Sequence, residues 1–443
     1  MIPINRLVGN ISGSLALKGA AIVVGLLSVP AYINYFSNQQ LLGVWFSIIS
    51  VMNWMLFLDF GLGNGIKNEV TFRIAKGKAA EARGIIWGGY LWSAILSLLL
   101  ATLLLAAAYF LRFSEVSADI ASIDFPSIEK VLLIVVATFA LQFPLRMSVS
   151  ILYGLQMSAL AAAVPVVTNT LVLVYLLMAG SSGIGDPVLL VQFYAIAVIA
   201  PLLGAAAVVA WNIRRWPHPD QPRNYLQAAY KAMAAGGQFF FIQLCLLAIN
   251  GTNEIAILTF HQASDVVDYQ VHYRAFSLFI VAASTLTLPL WSAIAQAQAE
   301  GQAVRVQSIV RFLRLSLVFT ACGLAILTAL FPWLLSLWIG GDVVQTNSLT
   351  STLFAIYTFC VVMIMSEVCV ANGFGRLRLQ VISFTAAVLM KILLLFAYRI
   401  WVPSWDGLLL INIIVLVPVA IVLARDSSRT LRQFGKQQDL QPS

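Results

Sequence analysis

Apolar runs longer than about 18 residues recur from one end of this 443-residue chain to the other. A helix rises about 1.5 Å per residue, so a run of that length crosses the roughly 30 Å hydrocarbon core of a bilayer. Charged residues make up only 10% of the chain, against roughly 25% in soluble domains. The sequence therefore predicts an all-α polytopic membrane protein with about 12 transmembrane helices in two six-helix lobes. The predicted spans are 11–36, 41–65, 84–111, 130–153, 160–180, 188–212, 233–259, 267–297, 309–338, 349–372, 379–401 and 406–424.

Lysine and arginine are concentrated in alternate connections between these spans. One set of connections and the tail hold Lys67, Arg73, Lys76, Lys78, Arg83, Arg214, Arg215, Arg223, Lys231, Arg305, Arg376, Arg378, Arg425, Arg429, Arg432 and Lys436. The opposite set has only Arg112, Lys130 and Arg399. Cytoplasmic loops carry such an excess of positive charge, so both termini are predicted in the cytoplasm. The net charge of +8 follows from this topology, and no nucleic-acid partner is expected.

A polar, proline-bearing segment, RRWPHPDQPRNYLQ, separates two groups of six predicted spans. We expect an N-terminal six-helix lobe at 1–213, a cytoplasmic linker at 214–231, a C-terminal six-helix lobe at 232–424 and a cytoplasmic tail at 425–443. A six-plus-six plan with both termini inside is typical of carriers whose halves move against each other.

Seven charged residues inside predicted spans are candidates for a position at membrane depth, where each costs about 2.5–3.5 kcal/mol unless it faces a cavity or a partner. They are Lys18, Asp59, Arg146, Glu254, Arg274, Glu367 and Lys391. Counting residues from the span ends places Lys18, Asp59 and Arg146 roughly 9–11 Å from the cytoplasmic boundary, where they can form one layer. Glu254 and Arg274 lie toward the outer side on consecutive antiparallel spans, which predicts an ion pair.

Several of these charges have a second interpretation. Lys18 can extend its stem to the inner headgroups, and Glu254 can sit at the wet end of its helix. Arg146 follows Pro144, which removes a backbone donor and opens the helix locally. Arg146 and Lys391 are the two deepest charges. Because both are cationic, they favour an anionic substrate and disfavour a lipophilic cation.

Motifs for nucleotide hydrolysis, serine hydrolysis and zinc-dependent proteolysis are absent from the sequence. The histidines and cysteines lack the spacing of a metal site. We therefore expect no catalytic residues, no metal and no cofactor. The sequence predicts a transporter that works by conformational change, and not an enzyme.

The stretch LDFGLGNGIKNEV at 58–70 places Asp59 before a run of alternating glycines. A nucleotide-binding glycine loop needs a strand before it and a βαβ unit around it, and this stretch ends a predicted membrane span. Gly61, Gly63 and Gly65 are interpreted as loosening or closely packing the cytoplasmic end of the second helix. Asp59 is predicted to need a cation at its own depth, and Lys18 and Arg146 are available.

Residues across the chain resemble the O-antigen and polysaccharide flippases, which belong to the multidrug/oligosaccharidyl-lipid/polysaccharide exporter (MOP) superfamily. The resemblance includes NRLVGN…PAYINYF at the start, FPLR in the fourth span and YGLQ at 153–156. In and after the second span it is carried by Gly43, Trp45, Asp59, Gly61, Gly63, Asn64, Gly65 and Asn68.

The resemblance implies an inner-membrane flippase for an undecaprenyl-pyrophosphate-linked oligosaccharide, such as an O-antigen repeat unit of lipopolysaccharide. Arg146, Lys391, Lys18 and Arg274 would bind the substrate headgroup. Asp59 or Glu254 would take up the coupling ion, and the three glycines would form the gate. A polysaccharide polymerase or a chain-length regulator would be a partner. Two alternatives stay open: a cation-coupled multidrug antiporter of the same superfamily, and a non-transporting scaffold for polysaccharide assembly.

Overall fold

The computed structural model describes residues 4–36, 38–110, 128–180, 185–218, 222–340, 347–401 and 404–439. Within these ranges every regular element is a helix. The first seven helices are α1 (Ile4–Tyr35), α2 (Gln39–Ala75), α3 (Ala79–Phe110), α4 (Ile128–Gly154), α5 (Ser158–Gly180), α6 (Pro187–Ile213) and α7 (Pro222–Ala235). The next seven are α8 (Gly237–Asn250), α9 (Asn253–Phe260), α10 (Ala263–Ala299), α11 (Ala303–Ile339), α12 (Ser348–Gly373), α13 (Arg378–Trp401) and α14 (Gly407–Asp439).

Eleven helical stretches in the described chain are long and apolar enough to cross a membrane. They lie in α1, in α3 to α6, in α8 together with α9, and in α10 to α14. Helix α2 covers the remaining predicted span at 41–65. The predicted fold class, an all-α polytopic membrane protein, is confirmed. The cytoplasmic placement of both termini stays a prediction.

The chain forms two compact units, and their division falls inside α8. The first unit is Met1–Leu244 with Gln262–Ser264, and the second is Cys245–His261 with Asp265–Ser443. In the first, α2, α3, α4 and α6 bury a core that includes Ile66, Ile85, Ile151 and Val209. In the second, α10, α11 and α12 bury another around Ile294, Val306, Leu313 and Val370. Apolar side chains at helical spacing account for both cores.

Helix α7 lies partly within the predicted linker and packs along α2 and α3 of the first unit. Its buried stripe of Ala229 and Met233 repeats every four residues, as expected for one face of a helix. Glycines on the opposing helices allow the approach. A Cβ on Gly84 would lie 2.5 Å from Cγ of Tyr225, and one on Gly88 would lie 2.7 Å from Cβ of Ala229.

Two predicted boundaries differ from the observed helices. Helix α2 continues to Ala75 without a break, so the prediction that the glycine run marks the end of a helix is wrong. Glycine in a helix interior costs only about 1 kcal/mol relative to alanine, and tertiary packing readily offsets that amount. Helix α14 continues to Asp439, through most of the segment predicted as a tail.

Candidate transport site

The predicted seventh span is interrupted in the second unit. Helix α8 ends at Asn250 and α9 begins at Asn253, with Gly251 and Thr252 between them. Gly251 donates its backbone N–H to Leu247 O, and the Thr252 hydroxyl donates to Ala248 O at 2.8 Å. The asparagine–glycine–threonine–asparagine sequence explains the break, because these residue types have low helix propensity, and Thr252 leaves helical geometry with φ −101° and ψ 3°. A broken helix in an apolar environment must have its free backbone groups satisfied by other partners.

Lys391 of α13 supplies that partner. Its ammonium donates to Ile249 O at 2.5 Å, to Asn253 Oδ1 at 2.9 Å and to Thr252 Oγ1 at 3.2 Å. The side chain is 3% exposed, and these bonds use all three donors of the ammonium. A cation at a helix C-terminus also meets the negative end of the helix dipole. Lys391 therefore holds the two half-helices together in this conformation.

Asn253 is the centre of the polar network around the break. Its Oδ1 accepts from Lys391 and, at 2.9 Å, from the Asn412 amide of α14, while its own amide donates to Tyr269 Oη at 3.0 Å. Tyr357 of α12 donates to Asn250 Oδ1 at 2.9 Å. Four helices of the second unit thus converge on the broken segment. A network with this many bonds fixes one arrangement of the surrounding helices.

Glu254 is in the first turn of α9 and is 5% exposed. Its Oε1 accepts a hydrogen bond from Gln270 Nε2 of α10 at 2.7 Å. An acidic group near a helix N-terminus is favoured by the helix dipole. Arg274 lies on α10 one turn after Gln270 and is half-buried. One interpretation of the sequence put Glu254 at the wet end of its helix, and the buried side chain does not agree with it. The other predicted an ion pair with Arg274, and that pairing stays a prediction.

The candidate residues of the first unit are placed on three helices. Lys18 is half-buried on α1, and Arg146 is half-buried on α4, two residues after Pro144. Asp59 and Gly61 lie in α2, but the burial of both and the side-chain position of Asp59 are outside what the structure describes. The predicted layer of Lys18, Asp59 and Arg146 therefore stays a prediction.

Gly65 marks a close approach of two helices. A Cβ at this position would lie 2.0 Å from Ala232 O of α7. Gly63, two residues earlier, is buried. The observed role of Gly65 is therefore close packing inside a continuous helix. A role for Gly61, Gly63 and Gly65 in gating stays a prediction.

Most of the network in the second unit was missed by sequence reasoning. Charge at membrane depth selected Lys391 and Glu254, but their neutral partners carry no such signal. These partners are Asn250, Asn253, Tyr269, Gln270, Tyr357 and Asn412. The signal that could have found them is NGTN at 250–253, a cluster of helix-breaking polar residues inside an apolar span.

No family model matches the sequence, and no curated protein sequence matches it. Solved structures do match the fold. An inward-facing multidrug resistance transporter of the MATE family, in the MOP superfamily, has a TM-score of 0.72 at 14% identity, with 96% of this chain and 99% of that chain covered. A mutant of the Vibrio cholerae MATE transporter VcmN has a TM-score of 0.65 at 16% identity, with coverages of 97% and 98%.

A MOP superfamily transporter from Pyrococcus furiosus gives a TM-score of 0.68 at 16% identity, covering 98% of this chain and 99% of that chain. For that protein, a reversed polarity of the binding pocket suggested a different function. Near-complete coverage in both directions shows that the chain has the fold of the MATE transporters of the MOP superfamily. The fold expected from the resemblance is therefore confirmed.

Proposed function

We propose that this protein is a membrane transporter that exports an organic compound by alternating access, in exchange for a cation. The observation that supports it most is the likeness to a multidrug resistance transporter of the MATE family over 96% of the chain. A fold alone does not determine a cargo, so the chemistry of the charged groups has to be considered next.

Glu254 is our candidate for the coupling group. A carboxyl buried at membrane depth is unfavourable unless it has a function or a partner. Glu254 is held beside the broken helix, where its neighbour Asn253 bonds to the Lys391 ammonium. Binding or release of a cation at this carboxyl would change the charge balance around the two half-helices. Asp59 is the corresponding candidate in the first unit.

A second candidate function is the flippase of a lipid-linked oligosaccharide. It is supported by the residues that resemble polysaccharide flippases and by the cationic candidates Arg146, Arg274 and Lys18. Such cations suit the pyrophosphate of the cargo. Lys391 would first have to release one of its three bonds. The bacterial inner membrane, and a polymerase or chain-length regulator as partner, belong to this second proposal.

One paired experiment separates the two cargoes. Ethidium export is measured in bacteria that lack their own multidrug exporters and express this protein or its Asp59→Asn variant. In the source cells the gene is deleted, and the lipid-linked sugars are quantified. The first proposal is supported if the wild-type protein exports ethidium, the Asp59→Asn variant does not, and the gene deletion leaves the amount of lipid-linked sugar unchanged. The second proposal is supported if a complete lipid-linked repeat unit accumulates in the deletion strain and the protein does not export ethidium. A negative result in both assays contradicts both and favours a scaffold.

A further inference from the structure

An open cleft of about 490 Å³ lies at one end of the first unit, between α2 and the turn that follows α4. Its lining is Lys67, Asn68, Thr71, Phe72, Tyr153 and Gln156. Lys67 follows the predicted inner end of the second span by two residues, which places the cleft near the level of the lipid headgroups. Among the residues that the structure describes, this lining includes a cation and several hydrogen-bond donors but no acidic residue.

Two acidic side chains that the structure describes on α2 and α3 are engaged by other cations. Glu69 pairs with Arg73 at 2.7 Å, and Glu81 pairs with Arg73 and with Lys78. Lys67 is half-buried, and its ammonium has no hydrogen-bond or ion-pair partner among the described residues. A partly buried ammonium without an anion is unfavourable, so this position favours the binding of an anionic ligand.

The cleft is held in shape by contacts between its two walls. The Thr71 hydroxyl bonds to Lys67 O at 2.9 Å and to Gly154 O at 3.1 Å. Gly154 permits this approach, because a Cβ there would lie 3.1 Å from Lys67 O.

Gln156 has a φ of 61°, the left-handed region that favours glycine. Helices commonly end on glycine in this conformation. Gln156 instead gives the turn a polar side chain that lines the cleft.

We propose that this cleft binds a phosphate group, with the Lys67 ammonium as the principal contact. Tyr153, 37% exposed, would donate from its hydroxyl, and Asn68 and Gln156 would donate from their amides. A phosphate offers oxygens to several donors at once, and a charged donor strengthens each bond. The source of the phosphate is either an anionic phospholipid headgroup or a soluble phosphate. This site does not depend on the exported compound.

The test measures binding to the purified full-length protein. One arm quantifies retained phosphatidylglycerol against phosphatidylcholine by native mass spectrometry, and the other measures inorganic pyrophosphate by calorimetry. Lys67→Gln is expected to weaken phosphate binding roughly tenfold or more, the typical effect of losing a charge-assisted hydrogen bond. Lys130→Gln is the matched control, because Lys130 is exposed and outside the cleft lining.

Two further variants keep the result interpretable. Lys67→Arg retains the charge and is expected to retain most of the binding, and Tyr153→Phe removes only a hydroxyl. Retention of phosphatidylglycerol alone identifies a lipid site, and binding of pyrophosphate identifies a site for soluble phosphate. The proposal is overturned if the wild-type protein binds neither, or if Lys67→Gln binds as tightly as Lys130→Gln.

Discussion

Lys391 and Asn253 are joined by a 2.9 Å hydrogen bond that links α13 to the first residue of α9. The same ammonium binds Ile249 O, near the end of α8. One side chain thus spans the break in the predicted seventh span. Because the Lys391 ammonium is buried, its removal leaves the acceptor atoms without a hydrogen bond that water could replace.

Replacing Lys391 with methionine is expected to destabilise the protein by about 1–3 kcal/mol, the cost of leaving buried acceptors unsatisfied. Thermal unfolding in detergent measures the change. Lys130→Met is the control, because Lys130 is exposed at the start of α4. Equal unfolding temperatures for the two variants would show that Lys391 does not stabilise the break.

Replacing Gly65 with alanine is expected to destabilise the packing of α2 against α7. The added Cβ would lie 2.0 Å from Ala232 O, so backbone has to shift, and such overpacking costs about 1–3 kcal/mol. Gly19→Ala on α1 is the matched control, since a Cβ there meets nothing within 4 Å. In a helix that control should be neutral or stabilising. A Gly65→Ala protein as stable as Gly19→Ala would contradict the close approach.

Acidification is expected to destabilise the wild-type protein partly through His261, which lies between two membrane spans. Burial lowers the pKa of His261 from 6.5, although Asp265 and Asp406 act in the opposite direction. A lowered pKa in the folded state favours the neutral ring. This contribution to stability is therefore present above pH 6.5 and is lost as the pH falls from 6.5 through the lower pKa of the folded state. His261 contacts the Tyr398 hydroxyl.

Unfolding temperatures at pH 7 and pH 5 test this effect. His261→Gln should lose less stability on acidification than the wild-type protein. His218→Gln should follow the wild type, because His218 is exposed. The assignment fails if His261→Gln and His218→Gln respond alike.

The helices of this fold were predictable because membrane spans are set by apolar length, a property of the local sequence. Helix α7 was missed as a helix because its residues are polar enough to resemble a linker. Its stability comes from Ala229 and Met233 packing on glycine-bearing helices, which is a tertiary effect. The break at Gly251 and Thr252 was missed because hydropathy averages over about 19 residues.

The candidate site was only partly predictable. Lys391 and Glu254 stand out in the sequence, because a charge at membrane depth is costly. One of the three acceptors of the Lys391 ammonium is the backbone carbonyl of Ile249. Every residue has such a carbonyl, so no sequence pattern marks the one that a distant helix supplies. The predicted cavity role of Lys391 rested on its charge and its depth in the span, whereas the structure shows its three donors occupied.

The central claim is that the protein is a cation-coupled transporter with Glu254 as its coupling group. A measurement of ion-driven transport tests that claim most directly. Purified protein in proteoliposomes is given a Na⁺ or H⁺ gradient, and the movement of ethidium is followed. The matched variants are Glu254→Gln and Glu300→Gln. Glu254 is buried in the network, whereas Glu300 is exposed at the end of α10.

We expect gradient-driven transport by the wild-type protein and by Glu300→Gln. We expect a decrease of at least roughly tenfold in Glu254→Gln, within the usual range of coupling free energies. Glutamine keeps an oxygen that can accept from Gln270, so the unfolding temperature should change little. Transport by Glu254→Gln at the wild-type rate and with the same ion dependence would contradict the assignment of Glu254 as the coupling group.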